Sequence, residues 1–405
     1  MRICVLHRVP FAEVGYDKVI DHDVHEVLYI GPKAALADIP SGLRCQKLER
    51  PGIAATWEEV LAVLVGKPTP ERVVSLSEFE LLDAARVRER LNIPGKRPEE
   101  ILTVRDKVKM KGAIHAAGLR APRFISCEAL VSGSAGTPPW TGKTVLKPRD
   151  GACSRDTLTF PTAADAVAAV GAGTTGIRSF RIEQFELEEF VEGPVFHVDA
   201  AIVDGRLQVA MASRNLNTPL EYARGLPLGS VELGPRPDLE RFAEACSRAL
   251  GHHNGVFHLE GILSGEGPVF IEMGARAGAC SIVDVVELGR GAHLYRVMLS
   301  VEVFGRVDLT AAARHQRTAP AYGWFVFPGH NVGRGGMKIV GAERFARDPH
   351  VVRWVQLPDG HPSPDHITYA PEDSPISGII QGRDTADVEA FLTELFRTVR
   401  IQAQP

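Results

Sequence analysis

Apolar and polar positions divide the chain into short elements. Ile3 to Leu6 and Glu26 to Ile30 are compact apolar runs of strand length, and Arg72 to Leu76 is a third. Glu78 to Leu91 follows as a predicted helix, with Phe79, Leu82, Ala85 and Val87 near helical period, and stops at the breaker cluster Asn92-Ile-Pro-Gly95. Alternating strand and helix over residues 1–100 predicts a parallel, doubly wound α/β sheet. A dinucleotide fold would carry G-x-G-x-x-G after the first strand, but His7-Arg-Val-Pro-Phe11 stands there without a glycine.

Residues 105–118 read as a helix stopped by Gly118, with Pro122 shortly after. Ser132 to Gly142 is a Gly/Ser/Pro-rich loop, Thr144 to Lys147 a strand, and Asp150-Gly-Ala-Cys-Ser154 a loop of small residues. Asp204-Gly205 between Phe196–Val203 and Leu207–Ala212 predicts a hairpin. A second hairpin joins Val256–Leu263 to Val269–Met273. Asp238–Leu250 reads as a helix, Ser281–Val303 as mostly helical, and 315–405 as an α+β segment closing on a helix over Thr385–Val399.

Composition narrows the class. With 405 residues, length alone predicts two or three domains. Lys plus Arg is 46 against 50 Asp plus Glu, a formal charge of −4, so there is no basic surplus of the kind that binds nucleic acid. No apolar run reaches membrane-spanning length, and the apolar start Ile3–Leu6 is too short for a signal peptide. The six cysteines (Cys4, Cys45, Cys127, Cys153, Cys246, Cys280) are scattered and form no C-x-x-C pair, which argues against a zinc site and for reduced thiols in the cytoplasm.

Two glycine-containing segments are decoys. Gly142-Lys-Thr144 lacks the earlier P-loop glycine, since Thr137 occupies that position, and it runs into a strand where a P-loop needs a helix. Gly329 to Gly336 has no strand–loop–helix context and reads as a turn. The second hairpin carries chemistry. A turn centred on Glu266 sets Leu263 opposite Val269, Ile262 opposite Phe270, and Glu260 opposite Glu272. Opposed like charges destabilise a strand pair, and a divalent cation removes that penalty. The alternative is two solvated glutamates on an exposed face. Arg276, just beyond the strand, suits a forked contact to a phosphoryl group, or else a structural salt bridge. Lys147 ends an apolar strand and so calls for an anionic partner.

Four blocks in order over about 105–305 make the chain resemble the ATP-grasp superfamily of carboxylate–amine (or thiol) ligases. They are Arg105-Asp-Lys107 with Ala117-Gly-Leu-Arg-Ala-Pro122, Val145-Leu-Lys-Pro148 with 150–154, Glu188-Glu-Phe-Val-Glu-Gly193, and Phe257-His-Leu-Glu260 with Phe270-Ile-Glu272-Met-Gly-Ala-Arg276. Gly193-Pro-Val-Phe-His-Val-Asp199 and Phe327-Pro-Gly329 make it most similar to the L-amino-acid ligase branch, which makes dipeptides. The resemblance implies an α/β ATP-grasp fold with a Rossmann-like pre-ATP-grasp domain over 1–103. It further implies an ATP-grasp domain over 104–310 with a lid subdomain at about 125–187, and a C-terminal α+β segment over 311–405 that completes the substrate site.

It also implies roles. Lys107 and Lys147 contact ATP phosphates, Ser154 covers the γ-phosphate, and Glu188 with the backbone of Phe190 and Val191 binds adenine. Glu260 and Glu272 hold Mg²⁺, with Mn²⁺ as a substitute, and Arg276 steadies an acyl phosphate as the catalytic residue. Arg214 is the candidate for a substrate carboxylate, within a substrate-side segment Ser213–Thr218 plus Arg224. Cys153 reads as a small loop residue and not a nucleophile, because no base is placed beside it.

Three departures stand out, one being that the loop 150–154 has fewer glycines than some branches of the family. Val195 occupies the place of the ribose-binding acid, leaving Glu192 and His197 as candidates, and Gly274 replaces a metal-site asparagine. The expected reaction joins small-molecule carboxylate and amine substrates, amino acids first among them, with ADP and phosphate as products. Nucleic acid and membrane are not expected partners, and a homodimer is one candidate assembly. Rival readings are a different acceptor (thiol, carrier protein or nucleotide-pathway amine) and a non-catalytic ATP-binding regulator. The regulator would have lost Lys147, Glu260 or Glu272, and all three are present.

Overall fold

The computed structural model describes residues 1–151, 154–307, 309, 320–333 and 335–404. Ala152 and Cys153, in the middle of the small-residue loop, lie outside the described residues, as does the stretch 310–319. The first sheet is parallel, ordered β3-β2-β1-β4, from β1 (Arg2–Leu6), β2 (Glu26–Gly31), β3 (Gln46–Glu49) and β4 (Arg72–Ser75). Its strands are apolar on both faces because both are covered. Cys4 and Leu6 face the helices Thr56–Leu64 and Leu81–Arg90, while Ile3 and Val5 face the helix Leu294–Phe304 on the other side. The helix Leu81–Arg90 begins later than the periodicity from Glu78 suggests. Phe79 stays outside it, 59% exposed beneath the Arg8 guanidinium, while Glu80 turns inward to Arg50 at 2.8 Å.

Asp106 caps the helix Lys107–Ala116 by accepting from the Val108 and Lys109 amides, and Gly118, at φ +73, ends it as predicted. A small antiparallel sheet follows, ordered β5-β8-β6-β7, from β5 (Phe124–Ser126), β6 (Thr144–Pro148), β7 (Leu158–Phe160) and β8 (Phe185–Glu189). Thr144 opens β6, so the GKT segment does feed a strand.

The main sheet is antiparallel and eight-stranded. Its strands are β9 (Val195–Val203), β10 (Arg206–Leu216), β11 (Leu228–Glu232), β12 (Gly255–Ser264), β13 (Gly267–Gly274) and β14 (Ala321–Val326), completed after β15 (Gly336–Val340) by β16 (Val351–Gln356) and β17 (Ile376–Gly382). The order is β13-β12-β9-β10-β11-β14-β17-β16, and β15 pairs separately with β18 (Arg400–Gln404). Asp204 and Gly205 both have positive φ, as the tight β9–β10 turn demands. The helical stretch expected over 281–303 is two helices, Ile282–Arg290 and Leu294–Phe304, because Gly291 at φ +69 ends the first. They cover one face of the sheet, and the helix Pro237–Ala249 covers the other.

The β12–β13 register differs in part from the expected one. The turn is the two-residue Gly265-Glu266, so Leu263 meets Pro268 and Ile262 meets Val269. An irregularity between Glu260 and Gly261 lets Ile271 bulge out and restores the pairing of Glu260 with Glu272.

Candidate active site

Cross-strand partners share a face, and register sets a row of polar residues across the main sheet. Glu272 faces Glu260, Glu260 faces His197 and His197 faces Ser213 on β13, β12, β9 and β10. Two residues along β10, Asn215 faces Ser230, which faces Trp324 on β14. Two cavities open on this row. One, of about 330 Å³, lies between the small and main sheets, and its lining includes Lys107, Lys147, Glu188, Phe190, Val191 and Val195. The other, of about 110 Å³, is lined by His197, Asn215, His258, Arg276, Trp324 and Tyr369 among others. Ser154, Glu260 and Glu272 line both.

The larger cavity has a buried ionic floor. Lys107 and Lys111 are one helical turn apart on the same helix, and Lys147 lies opposite Glu186 across β6–β8. Lys111 donates to Glu186 at 2.7 Å and to Glu188 at 2.6 Å, and Lys147 lies 2.7 Å from Glu188. Burial pushes the Glu186 carboxyl up. Burial acts on Glu188 the same way, but Lys111 and Lys147 outweigh it and carry that carboxyl below the usual range. Burial alone would lower Lys147, yet Glu188, Glu186 and Glu272 together raise it. The Glu188 carboxylate is thus committed to two lysines, and the Glu189 and Phe190 amides donate to Arg123 O and Lys143 O, each at 2.9 Å.

The metal-pair candidates do not stand as an unrelieved repulsive pair. Lys107 donates to Gly151 O at 2.8 Å and lies 2.8 Å from Glu272. Burial would raise the Glu272 carboxyl, but Lys107 and Lys147 bring it down to about 2. Glu260 lies 3.2 Å from His258 Nε2. His258 and His197 each meet one Asp199 oxygen through Nδ1, at 2.8 Å and 2.6 Å. Desolvation works against the His258 charge, but Asp199 raises that imidazole to about 10. These three residues lie close enough to hold a metal, and in this structure each Asp199 oxygen is engaged by one of the two imidazoles. Two carboxylates on a shared cavity wall are hard oxygen donors, and they suit Mg²⁺.

Arg276 Nε donates to Glu78 at 2.8 Å, and Arg105 binds the other Glu78 oxygen. A Cβ at position 274 would stand 2.8 Å from Glu78 Oε2, so Gly274 leaves the space that Glu78 fills. Arg214 does not join the site. It alternates to the face opposite Ser213 and Asn215 and pairs with Glu389 at 2.6 Å, whereas Asn215 lines the smaller cavity. Arg224 does line the larger cavity. His197 lines the smaller cavity and Glu192 lines neither, so neither replaces a ribose acid at Val195 in this arrangement.

Sequence reasoning gave no role to Glu78, Lys111, Glu186, Asp199, His258, Trp324 or Tyr369. Helical i,i+4 spacing from Lys107 could have found Lys111, and strand alternation from Glu188 could have found Glu186.

The architecture, with a cleft between a small antiparallel sheet and the carboxylate-bearing main sheet, is the ATP-grasp fold. Among solved structures, the L-amino acid ligase from Bacillus licheniformis matches over 100% of this chain and 98% of its own, with a TM-score of 0.71 and 19% identity. Phosphoribosylglycinamide synthetase from Anaerococcus prevotii matches over 100% and 99%, with a TM-score of 0.64 and 16% identity. By sequence, carnosine synthase 1 of Gallus gallus is 36% identical over 112 residues, 27% of this chain and 12% of that protein. The Homo sapiens protein is 37% identical over 109 residues, 25% and 13% respectively, so the match spans only a small part of these relatives. No family model matches the chain. Among the described residues, no helix is long and apolar enough to cross a membrane.

Proposed function

We propose that the chain is an ATP-dependent ligase that activates a carboxylate as an acyl phosphate and joins it to an amine, with amino acids as substrates and a dipeptide as product. The observation that carries this reading is the meeting of two cavities at Ser154, Glu260 and Glu272, one nucleotide-sized and ringed by Lys107 and Lys147, the other small and flanked by Arg276. The carnosine synthase match and the likeness to an L-amino acid ligase support the choice of substrates.

In this reading the substrate carboxylate oxygen bonds to the γ-phosphorus and the bond to ADP breaks. The amine nitrogen then attacks the acyl carbon, phosphate leaves with the acyl C–O electron pair, and the amine gives up a proton. Lys147 and Lys107 neutralise the phosphate oxygens, exchanging Glu188 and Glu272 for them. Glu260 and Glu272 would hold Mg²⁺, which supplies charge neutralisation to the transferring phosphoryl group. Arg276, kept in place by Glu78, holds the acyl phosphate. The segment 125–187 closes over the nucleotide as a lid and keeps water from the acyl phosphate.

Incubation with ATP, Mg²⁺ and paired amino acids, read by phosphate release and product mass, tests the proposal. Release that depends on amino acids, with a product one water lighter than the pair, is expected. Release that is indifferent to amino acids would overturn it.

A further inference from the structure

The smaller cavity contains two polar atoms without a protein partner, Asn215 Oδ1 and Trp324 Nε1. Register places them on either side of Ser230, on one face of β10, β11 and β14. The Ser230 hydroxyl is already engaged, by His197 Nε2 at 2.7 Å and the Arg214 carbonyl at 3.3 Å. The row therefore has a satisfied centre and two unsatisfied flanks. Trp324 is only 4% exposed. Leaving a buried donor or acceptor unmade is costly, and two of them on one cavity wall mark a place where a ligand completes the set.

The two atoms differ in kind. An indole N–H can only donate, and an amide oxygen can only accept. A ligand group that answers both must carry one acceptor and one donor. An ammonium lacks the acceptor and a carboxylate lacks the donor, and the same cavity offers those two charged groups partners of opposite sign in Glu260, Glu272 and Arg276. Leu228 and Ile282 line the same cavity, and the volume of about 110 Å³ admits a side chain and not a large ring system. The metal-pair candidates Glu260 and Glu272 lie on β12 and β13, on the far side of β9 in the sheet order.

Resting on the ligase reading above, we propose that this wall selects an amino-acid substrate by a neutral polar side chain that both donates and accepts (an amide, a hydroxyl or an imidazole) over an apolar side chain of the same shape. The shape-matched pairs are asparagine with leucine, threonine with valine, and histidine with phenylalanine.

The test measures kcat/KM for phosphate release with each member of these pairs, and binding of the same amino acids by calorimetry on protein loaded with Mg²⁺ and a non-hydrolysable ATP analogue. At least one pair should favour its polar member by about 100-fold or more, because a site built to hydrogen-bond rejects the analogue that cannot. Trp324→Phe and Asn215→Leu should each cut that ratio by about tenfold or more, with melting curves checking that both variants fold. Ratios within about threefold for all three pairs, or a preference for the apolar members, would overturn the proposal. Polar amino acids that bind selectively without promoting phosphate release would leave the pocket assignment standing and remove the ligase reading. Phosphate release driven best by apolar amino acids would do the reverse.

Discussion

On the small-sheet side of the site four charged side chains, Lys111, Lys147, Glu186 and Glu188, pair with one another and leave only Glu186 Oε2 without a partner, whereas on the β10–β11–β14 side two neutral dipoles have no partner. On the ligase reading, the first wall releases Lys147 to a phosphate while Glu188 keeps Lys111. It is pre-formed and depends on balance. The second wall is incomplete until something enters. On the two proposals above, the contrast separates charge handling from side-chain recognition, with different strands carrying the two tasks.

The largest effect should come from unbalancing the first wall. Lys111→Met leaves Glu186 and Glu188 with Lys147 alone, and unfolding in denaturant should show a loss of about 3–5 kcal/mol, as for other broken buried pairs. Adding Glu186→Gln should recover a large part of it. If Lys111→Met is neutral, the four charges do not act as a set.

Lys147→Ala keeps the Lys111 pairs but removes the phosphate contact. A charge-assisted bond contributes about 1.5–3 kcal/mol, so ATP should bind about 10- to 150-fold more weakly by calorimetry. Wild-type affinity would remove Lys147 from the nucleotide site.

Glu272→Gln acts at the meeting point of the two cavities. Lys107 loses its carboxylate partner, so the protein without ATP should melt lower, by about 1–2 kcal/mol once solvent screening of this part-exposed side chain is allowed for. The sign with pH follows from the depressed carboxyl. The difference from wild type should be full above the unfolded glutamate value of about 4.3 and vanish as pH falls through about 2. A variant as stable as wild type at pH 7 would mean that Lys107 does not hold Glu272.

Trp324→Phe should have the smallest effect. It removes a donor that makes no bond within the protein, so stability should change by less than about 0.5 kcal/mol while substrate discrimination falls. A loss of 2 kcal/mol, roughly that of a broken buried hydrogen bond, would show that Nε1 has a partner after all.

Half of the first wall was legible in the sequence: Lys147 and Glu188 sit in short blocks whose spacing states a strand, whereas Lys111 and Glu186, their buried partners, were given no role. The Glu260–Glu272 pair was also legible, though its register was reached by a turn placed half a residue off and compensated by the bulge at Ile271, which no local rule shows. The second wall was not legible. Asn215 and Trp324 are brought together only by the pairing of β10 with β11 and of β11 with β14, and strand order is not written in local periodicity. Arg214 was the carboxylate candidate within Ser213–Thr218, and alternation along β10 sends it to the other face, toward Glu389.

The central claim is that a carboxylate is phosphorylated where the two cavities meet, and hydroxylamine trapping tests it most directly. With ATP, Mg²⁺, one amino acid and hydroxylamine as the amine, wild type should form the amino-acid hydroxamate in step with ADP, and Glu272→Gln should form almost none. ADP formation without hydroxamate, or hydroxamate formed equally by Glu272→Gln, would contradict the account.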